Sequence, residues 1–269
     1  MSKKKVIVIT GGAGGIGMAC ARIFKDYKVV LSDYSDEVTQ NAVSELKSAG
    51  VDAQGFACDI TDPEQIVGLK EFAARCGSFR ALVHAAGVSG SAKDLKKIFA
   101  INLEATERLT DAFHELAGED SVAVLISSMM GHAIPPNADY DEALKNPLSG
   151  DSFEVISRFA QNDPDNLYNF VKRGVQLIAQ KNANRWGEKG ARIVSVSPGV
   201  IDTPMAAKAM EEHPERIEAI KGMTPVKRTG RPEEVAQLIE FLVSDRAGFI
   251  TGTDIRIDGG AIINILNTQ

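Results

Sequence analysis

A chain of 269 residues with 44% hydrophobic and 25% charged side chains has ordinary globular composition and enough length for one large core. Its formal net charge of −6 gives no basic surface of the kind that nucleic acid or an anionic membrane requires, so neither is expected as a partner. No apolar run of signal-peptide or membrane-helix length follows Lys3-Lys4-Lys5, and the expectation is a soluble, cytoplasmic protein folded as one domain over 1–269.

The apolar run Val6-Ile7-Val8-Ile9 reads as a strand and is followed at once by Thr10-Gly11-Gly12-Ala13-Gly14-Gly15-Ile16-Gly17, with helical character over 18–24. A dinucleotide pyrophosphate needs backbone amides at a helix N-terminus and residues without a β-carbon to approach them, so Gly11, Gly14, Gly15, Ile16 and Gly17 are candidate cofactor contacts. A second strand over 28–33 ends in Asp33, about 20 residues beyond the glycines, where a carboxylate can accept from ribose hydroxyls and repel a 2′-phosphate. The cofactor is therefore expected to be NAD. Asp36 is equally eligible as the cap of the next helix.

Helical spacing of Val38, Ala42, Val43 and Leu46 ends at Gly50, and 51–57 alternates as a third strand closed by Cys58-Asp59-Ile60. Asp62-Pro63-Glu64 starts a helix, and 80–84 is a fourth strand followed by Ala85, Ala86 and Gly87, small enough for a cofactor to lie on the backbone. Alternating strands and helices imply right-handed crossovers and an α/β, Rossmann-type, doubly wound parallel sheet, with ligand across the C-terminal strand ends. Within a long helical stretch over 93–116, Asn102 either bonds the preceding turn, bends the helix and holds a water, or faces solvent. The uniformly apolar strand 121–126 delivers Ser127 and Ser128 to the edge of the glycine turn.

Over 131–166 periodicity breaks down and seven acids face only Lys145 and Arg158, which reads as a solvated acidic insertion. Tyr168 and Lys172 then share a helix face. An ammonium about 5 Å from a phenol favours the phenolate by roughly 3 kcal/mol, which would bring Tyr168 towards the range useful in acid/base catalysis. A sixth strand over 191–197 runs into Pro198 and Gly199, after which the amides of Val200 and Ile201 and the hydroxyl of Thr203 can meet a nicotinamide carboxamide. Residues 204–222 form a lid candidate, and a last helix and strand precede Asp258-Gly259-Gly260. Cys20, Cys58 and Cys76 read as core residues, His84, His114, His132 and His213 lack metal-ligand spacing, and no metal is expected.

Taken together, Thr10-Gly11 with Gly15-Ile16-Gly17, Asp59, Asn102, Ile126-Ser127-Ser128, Tyr168-x-x-x-Lys172, Pro198-Gly199, Thr251-Gly252 and Asp258-Gly259-Gly260 resemble the short-chain dehydrogenase/reductase family over nearly the whole chain. The resemblance implies a mostly seven-stranded sheet. It implies Tyr168 as acid/base, Ser128 holding the substrate oxygen, and Lys172 on the nicotinamide ribose while lowering the tyrosine pKa. Asn102 would hold a relay water, Asp59 with Ile60 would contact the adenine, and Thr203 the carboxamide. A homo-oligomer and a small alcohol or ketone substrate also follow from it.

Two positions depart from the family: His84 stands where an asparagine is usual, and 40 positions separate Ser128 from Tyr168. The long interval resembles the insertion of 3α-hydroxysteroid dehydrogenase/carbonyl reductases, which points to a hydroxysteroid. The insertion would either roof the substrate cleft or cover the flank of the Tyr168 helix, a surface that relatives use for subunit contact. Other alcohol dehydrogenases, 3-oxoacyl reductases and a non-catalytic NAD sensor are the alternatives.

Overall fold

The computed structural model describes residues 4–207 and 214–267. Seven strands form one parallel sheet in the order β3-β2-β1-β4-β5-β6-β7. They are β1 (Lys5–Thr10), β2 (Lys28–Ser32), β3 (Asp52–Gly55), β4 (Ser78–His84), β5 (Val122–Ile126), β6 (Arg192–Pro198) and β7 (Asp254–Ile257). Strand alternation builds the core on both faces: Val6 and Val8 enter one apolar cluster, Ile7 and Ile9 the other. The first cluster takes in α3 (Pro63–Cys76), α4 (Leu95–Phe99), α5 (Ala105–His114) and, further along, α8 (Pro164–Gly187). The second takes in α1 (Gly15–Ile23), α2 (Asp36–Ser48) and the helix Pro232–Val243. Strand order reverses between β1 and β4, which opens a crevice over the C-terminal strand ends.

Local chemistry sets the element boundaries, and several differ from the sequence expectation. The cap of α2 is Ser35, whose hydroxyl accepts from Val38 N–H, and Asp36 sits inside the first turn. β3 stops at Gly55, so Asp59 lies in a loop held by Cys58 N–H donating to Asp33 O at 2.8 Å. The stretch expected as one long helix is α4 and α5 joined by a π-helical segment, Ala100–Glu104, centred on Asn102.

The acidic insertion is not a solvated loop. It folds as α6 (Ala138–Lys145) and α7 (Ser152–Phe159), packed on the flank of α8 and on α4. The Tyr140 ring meets Phe159 and Phe170 edge-on at 5.2 and 5.0 Å, and Phe153 meets Phe99 at 5.5 Å. Each such pair adds about 0.5–1.5 kcal/mol beyond its buried area. Arg173 of α8 forks onto Asp141 at 2.7 and 2.6 Å, and Lys181 donates to Lys145 O at 2.6 Å, capping α6. At its ends the insertion is shorter than 131–166, since Gly131 belongs to a 3₁₀ turn, Met129–Ala133, and Pro164 already opens α8.

The lid candidate includes α9 (Pro214–Met223), which is followed by α10 (Pro232–Val243) and α11 (Ala261–Asn267); residues 208–213 of the candidate lie outside the described residues. Among the described residues no helix is long and apolar enough to cross a membrane, and no cluster of His, Cys, Asp and Glu could hold a metal ion.

Candidate active site

Gly11 leaves β1 with φ +65°, and a Cβ there would lie 2.5 Å from the Ala86 backbone, so only glycine lets the β1 and β4 ends close together. A Cβ on Gly17 would meet Gly11 O at 2.2 Å, which fixes the tight first turn of α1. Gly14 is the cap of α1 and no side chain caps that helix, leaving the N-terminal amides around Gly15 and Ile16 for an anion. Asp33 closes the turn from β2: one carboxylate oxygen accepts from Ala13 N–H at 3.1 Å, the other from Tyr34 N–H at 2.9 Å. These residues fit a dinucleotide.

Asp59 accepts from both Thr61 N–H and Thr61 Oγ1, and stays exposed on the edge shared with Asp33. Ile60 is turned into the core beside Ile66 and Leu69, so only its backbone is available to a ligand. Ala85 N–H donates to Thr10 O, and Gly87 sits where a Cβ would fall 2.7 Å from Asn102 Oδ1 and 3.5 Å from Lys172 Nζ. Gly199 N–H donates to Ile257 O, while Pro198 ends β6 and Ile201 bridges Gly230 with its side chain in the core. Thr203 packs directly on Gly15, within Cβ-contact distance. The residues expected at the cofactor thus follow the C-terminal ends of β1, β2, β3, β4 and β6, with the side chains of Ile60 and Ile201 turned into the core.

Asn102 is buried, not solvent-facing. Its amide donates to Ile98 O and Val88 O at 3.0 and 2.9 Å, and its Oδ1 accepts from Val88 N–H at 3.2 Å, which is the local cause of the π-helical segment. His84 takes over the support usually supplied by asparagine: its ring joins Thr10 Oγ1 at 2.7 Å to Thr106 Oγ1 at 3.0 Å. Thr106 Oγ1 donates to Asn102 O, so His84 Nε2–H donates to Thr106 and Nδ1 accepts from Thr10. Burial, with Lys172 nearby, brings the imidazole down to about 3, and it stays neutral.

Ser128 caps the Met129–Ala133 turn, its Oγ accepting from Met130 N–H at 3.2 Å, and its hydroxyl lies near that of Tyr168. Residues 40 positions apart in the chain thus meet beside the glycine crevice. Lys172 lies one helical turn on, buried, with Nζ donating to Ile126 O at 3.0 Å and 5.7 Å from the Tyr168 ring centre.

The expected lowering of the Tyr168 pKa is not found. Burial raises the Tyr168 phenol above its ordinary value, the Ser128 hydrogen bond opposing it, and Lys172 is itself brought down to about 8 by burial. Both charged forms lose water in the packed site, and this outweighs the attraction that spacing alone predicts. Tyr168 is therefore protonated at neutral pH, a phenol with a proton to donate.

Sequence reasoning missed the apolar wall. Met129, Met130, Val200, Ile220 and Ile262 come from four separate segments and gather in one cluster beside Ser128. A cleft of about 160 Å³ runs on from Val200 and Ile220 towards Thr224 and Gly259.

Residues 5–140 match the short chain dehydrogenase family and residues 155–261 the enoyl-(acyl carrier protein) reductase family. The chain belongs to the short-chain dehydrogenases/reductases, oxidoreductases acting on alcohol and ketone groups. It is 30% identical to the cyclohexanol dehydrogenase of Acinetobacter sp. (strain SE19), covering 95% of this chain and 94% of that one. It is also 30% identical to the 7alpha-hydroxysteroid dehydrogenase of Bacteroides fragilis, covering 97% and 96%. The crystal structure of a variant of actinorhodin polyketide ketoreductase with NADPH superposes with a TM-score of 0.79 over 97% of this chain and 99% of that chain, at 23% identity.

Proposed function

We propose that the protein is an NAD-dependent dehydrogenase interconverting an alicyclic secondary alcohol and its ketone, with a hydroxysteroid as the preferred substrate class. The approach of the Ser128 hydroxyl to that of Tyr168 carries the reading, because it brings two hydroxyls together on the side of the site where Lys172 lies against Gly87. Ser128 holds the substrate oxygen, and Tyr168 donates a proton to the carbonyl or takes one from the alcohol. Lys172 and Asn102 support the tyrosine and the ribose side of the site. Bound in the crevice, the nicotinamide supplies the hydride acceptor or donor. Asp33 beside the glycine turn supports NAD, since its carboxylate would repel a 2′-phosphate. The apolar wall of methionine, valine and isoleucine supports a ring substrate with little charge.

Absorbance of NADH formed from a panel of cyclohexanols, 3-hydroxysteroids and hydroxylated bile acids tests the assignment. Tyr168→Phe is expected to lower turnover about 10²–10⁴-fold while NADH binding persists. A Tyr168→Phe protein with ordinary turnover removes the assignment, and reduction of a 3-oxoacyl thioester in preference to every alcohol's reverse reaction would move it to the acyl reductases.

A further inference from the structure

Asp254 is a carboxylate with a side chain only 6% exposed, on an edge strand. Three donors surround it. Ser195 Oγ and Ser197 Oγ of β6 reach one oxygen at 2.6 and 2.9 Å, and His132 Nε2 reaches the other at 2.7 Å. The two serines are two positions apart on one face of a neighbouring strand, with Ser195 directly in register with Asp254. His132 instead comes from the turn that Ser128 caps, 122 positions away in the chain.

That turn is held at its other end too. Gln176, on the same helix face as Tyr168 and Lys172, donates to Ser197 Oγ at 3.1 Å and reaches Ser128 O at 3.5 Å. Between the two anchors lie Met129 and Met130, which form part of the apolar wall. Releasing His132 would free one end of a five-residue turn that Ser128 caps and that carries Met129 and Met130 into the apolar cluster.

We propose that His132 and Asp254 form a positioning pair for Ser128: by pinning the far end of its turn to β7, they set the serine hydroxyl against Tyr168 and hold the methionine wall that orients a ring substrate. The proposal rests on the reading of Ser128 and Tyr168 as the reacting pair. His132 and Asp254 touch neither substrate nor cofactor, and act through the turn.

The test uses the full-length protein with His132→Ala, His132→Gln and Asp254→Asn, and Tyr168→Phe as reference. Oxidation of cis- and trans-4-methylcyclohexanol with NAD, NADH binding by fluorescence, and the Tyr168 ring-carbon resonance in 13C-tyrosine-labelled protein are measured. His132→Ala is expected to lower kcat/KM for the alcohols roughly ten- to a hundredfold, the usual result of ångström-scale misplacement, and to bring the cis/trans ratio towards one. The Tyr168 resonance should shift while NADH affinity stays within about twofold. Gln places an amide nitrogen near the position of Nε2, so His132→Gln should restore both the ratio and the resonance.

An unchanged cis/trans ratio and unmoved resonance in His132→Ala would overturn the proposal. So would a loss that follows the folded fraction alone and is not restored by His132→Gln. If Tyr168→Phe turns over normally, the site reading fails separately, and the resonance arm still reports whether His132 holds Ser128 in place.

Discussion

Replacing His84 by leucine removes the ring that joins β1 to α5. Two hydrogen bonds disappear, leaving the Thr10 hydroxyl and one lone pair of Thr106 buried without partners. At about 1–3 kcal/mol for each of the two orphaned groups, the loss at neutral pH should be about 2–6 kcal/mol. The same histidine carries a pH signature. Its folded value of about 3 lies below the ordinary 6.5, so the unfolded chain binds the extra proton. Its contribution to stability is therefore complete above pH 6.5 and is lost progressively as the pH falls towards 3. At about 1.4 kcal/mol per pH unit, the whole interval is worth about 5 kcal/mol. The leucine variant lacks this dependence, so its disadvantage should shrink by about 1.4 kcal/mol per pH unit as the pH falls below 6.5. Urea unfolding of both proteins at a series of pH values measures the difference directly, and other titrating groups cancel in the comparison. Parallel stability curves down to pH 4 would refute a buried, neutral His84.

Three further outcomes follow from the site and the insertion. Alcohol oxidation requires the Tyr168 phenol to lose its proton; as burial holds its pKa up, initial NADH formation should rise from about pH 6 to about pH 8 and flatten above it as Lys172, at about 8, loses charge. A rate that falls over that range contradicts the role of Tyr168. Asp33→Ala should narrow the preference for NAD over NADP about thirtyfold, since a carboxylate repels a doubly charged phosphate by about 2 kcal/mol at 4 Å in water; the ratio of kcat/KM values is the measure. Arg173→Leu strips a largely buried Asp141 of its bidentate partner, and the thermal midpoint should drop by about 2–10 °C, read by calorimetry. An unshifted midpoint would mean that the aromatic contacts and the Lys181 cap hold the insertion without the Arg173 pair.

Much of the frame was decided within short windows of the chain. The apolar run before the glycines, the acid after the second strand and the proline-started helices each depend on side-chain period or turn chemistry over about ten residues, and the structure has them in place. Tyr168 and Lys172 also share a face by helical geometry alone, and Asn102 bends its helix through bonds to residues close by. Tertiary structure decided the rest. Desolvation depends on everything packed around a group, so the spacing of tyrosine and lysine did not disclose that burial would raise one pKa and lower the other. The acidic insertion looked solvated because its apolar residues are few and scattered; Tyr140, Phe153 and Phe159 find their aromatic partners only when α6 and α7 fold against one another, α4 and α8. His132 carried no signal in the sequence beyond its lack of metal-ligand spacing, and its partner Asp254 arrives from the last strand of the sheet, a contact that no local pattern encodes.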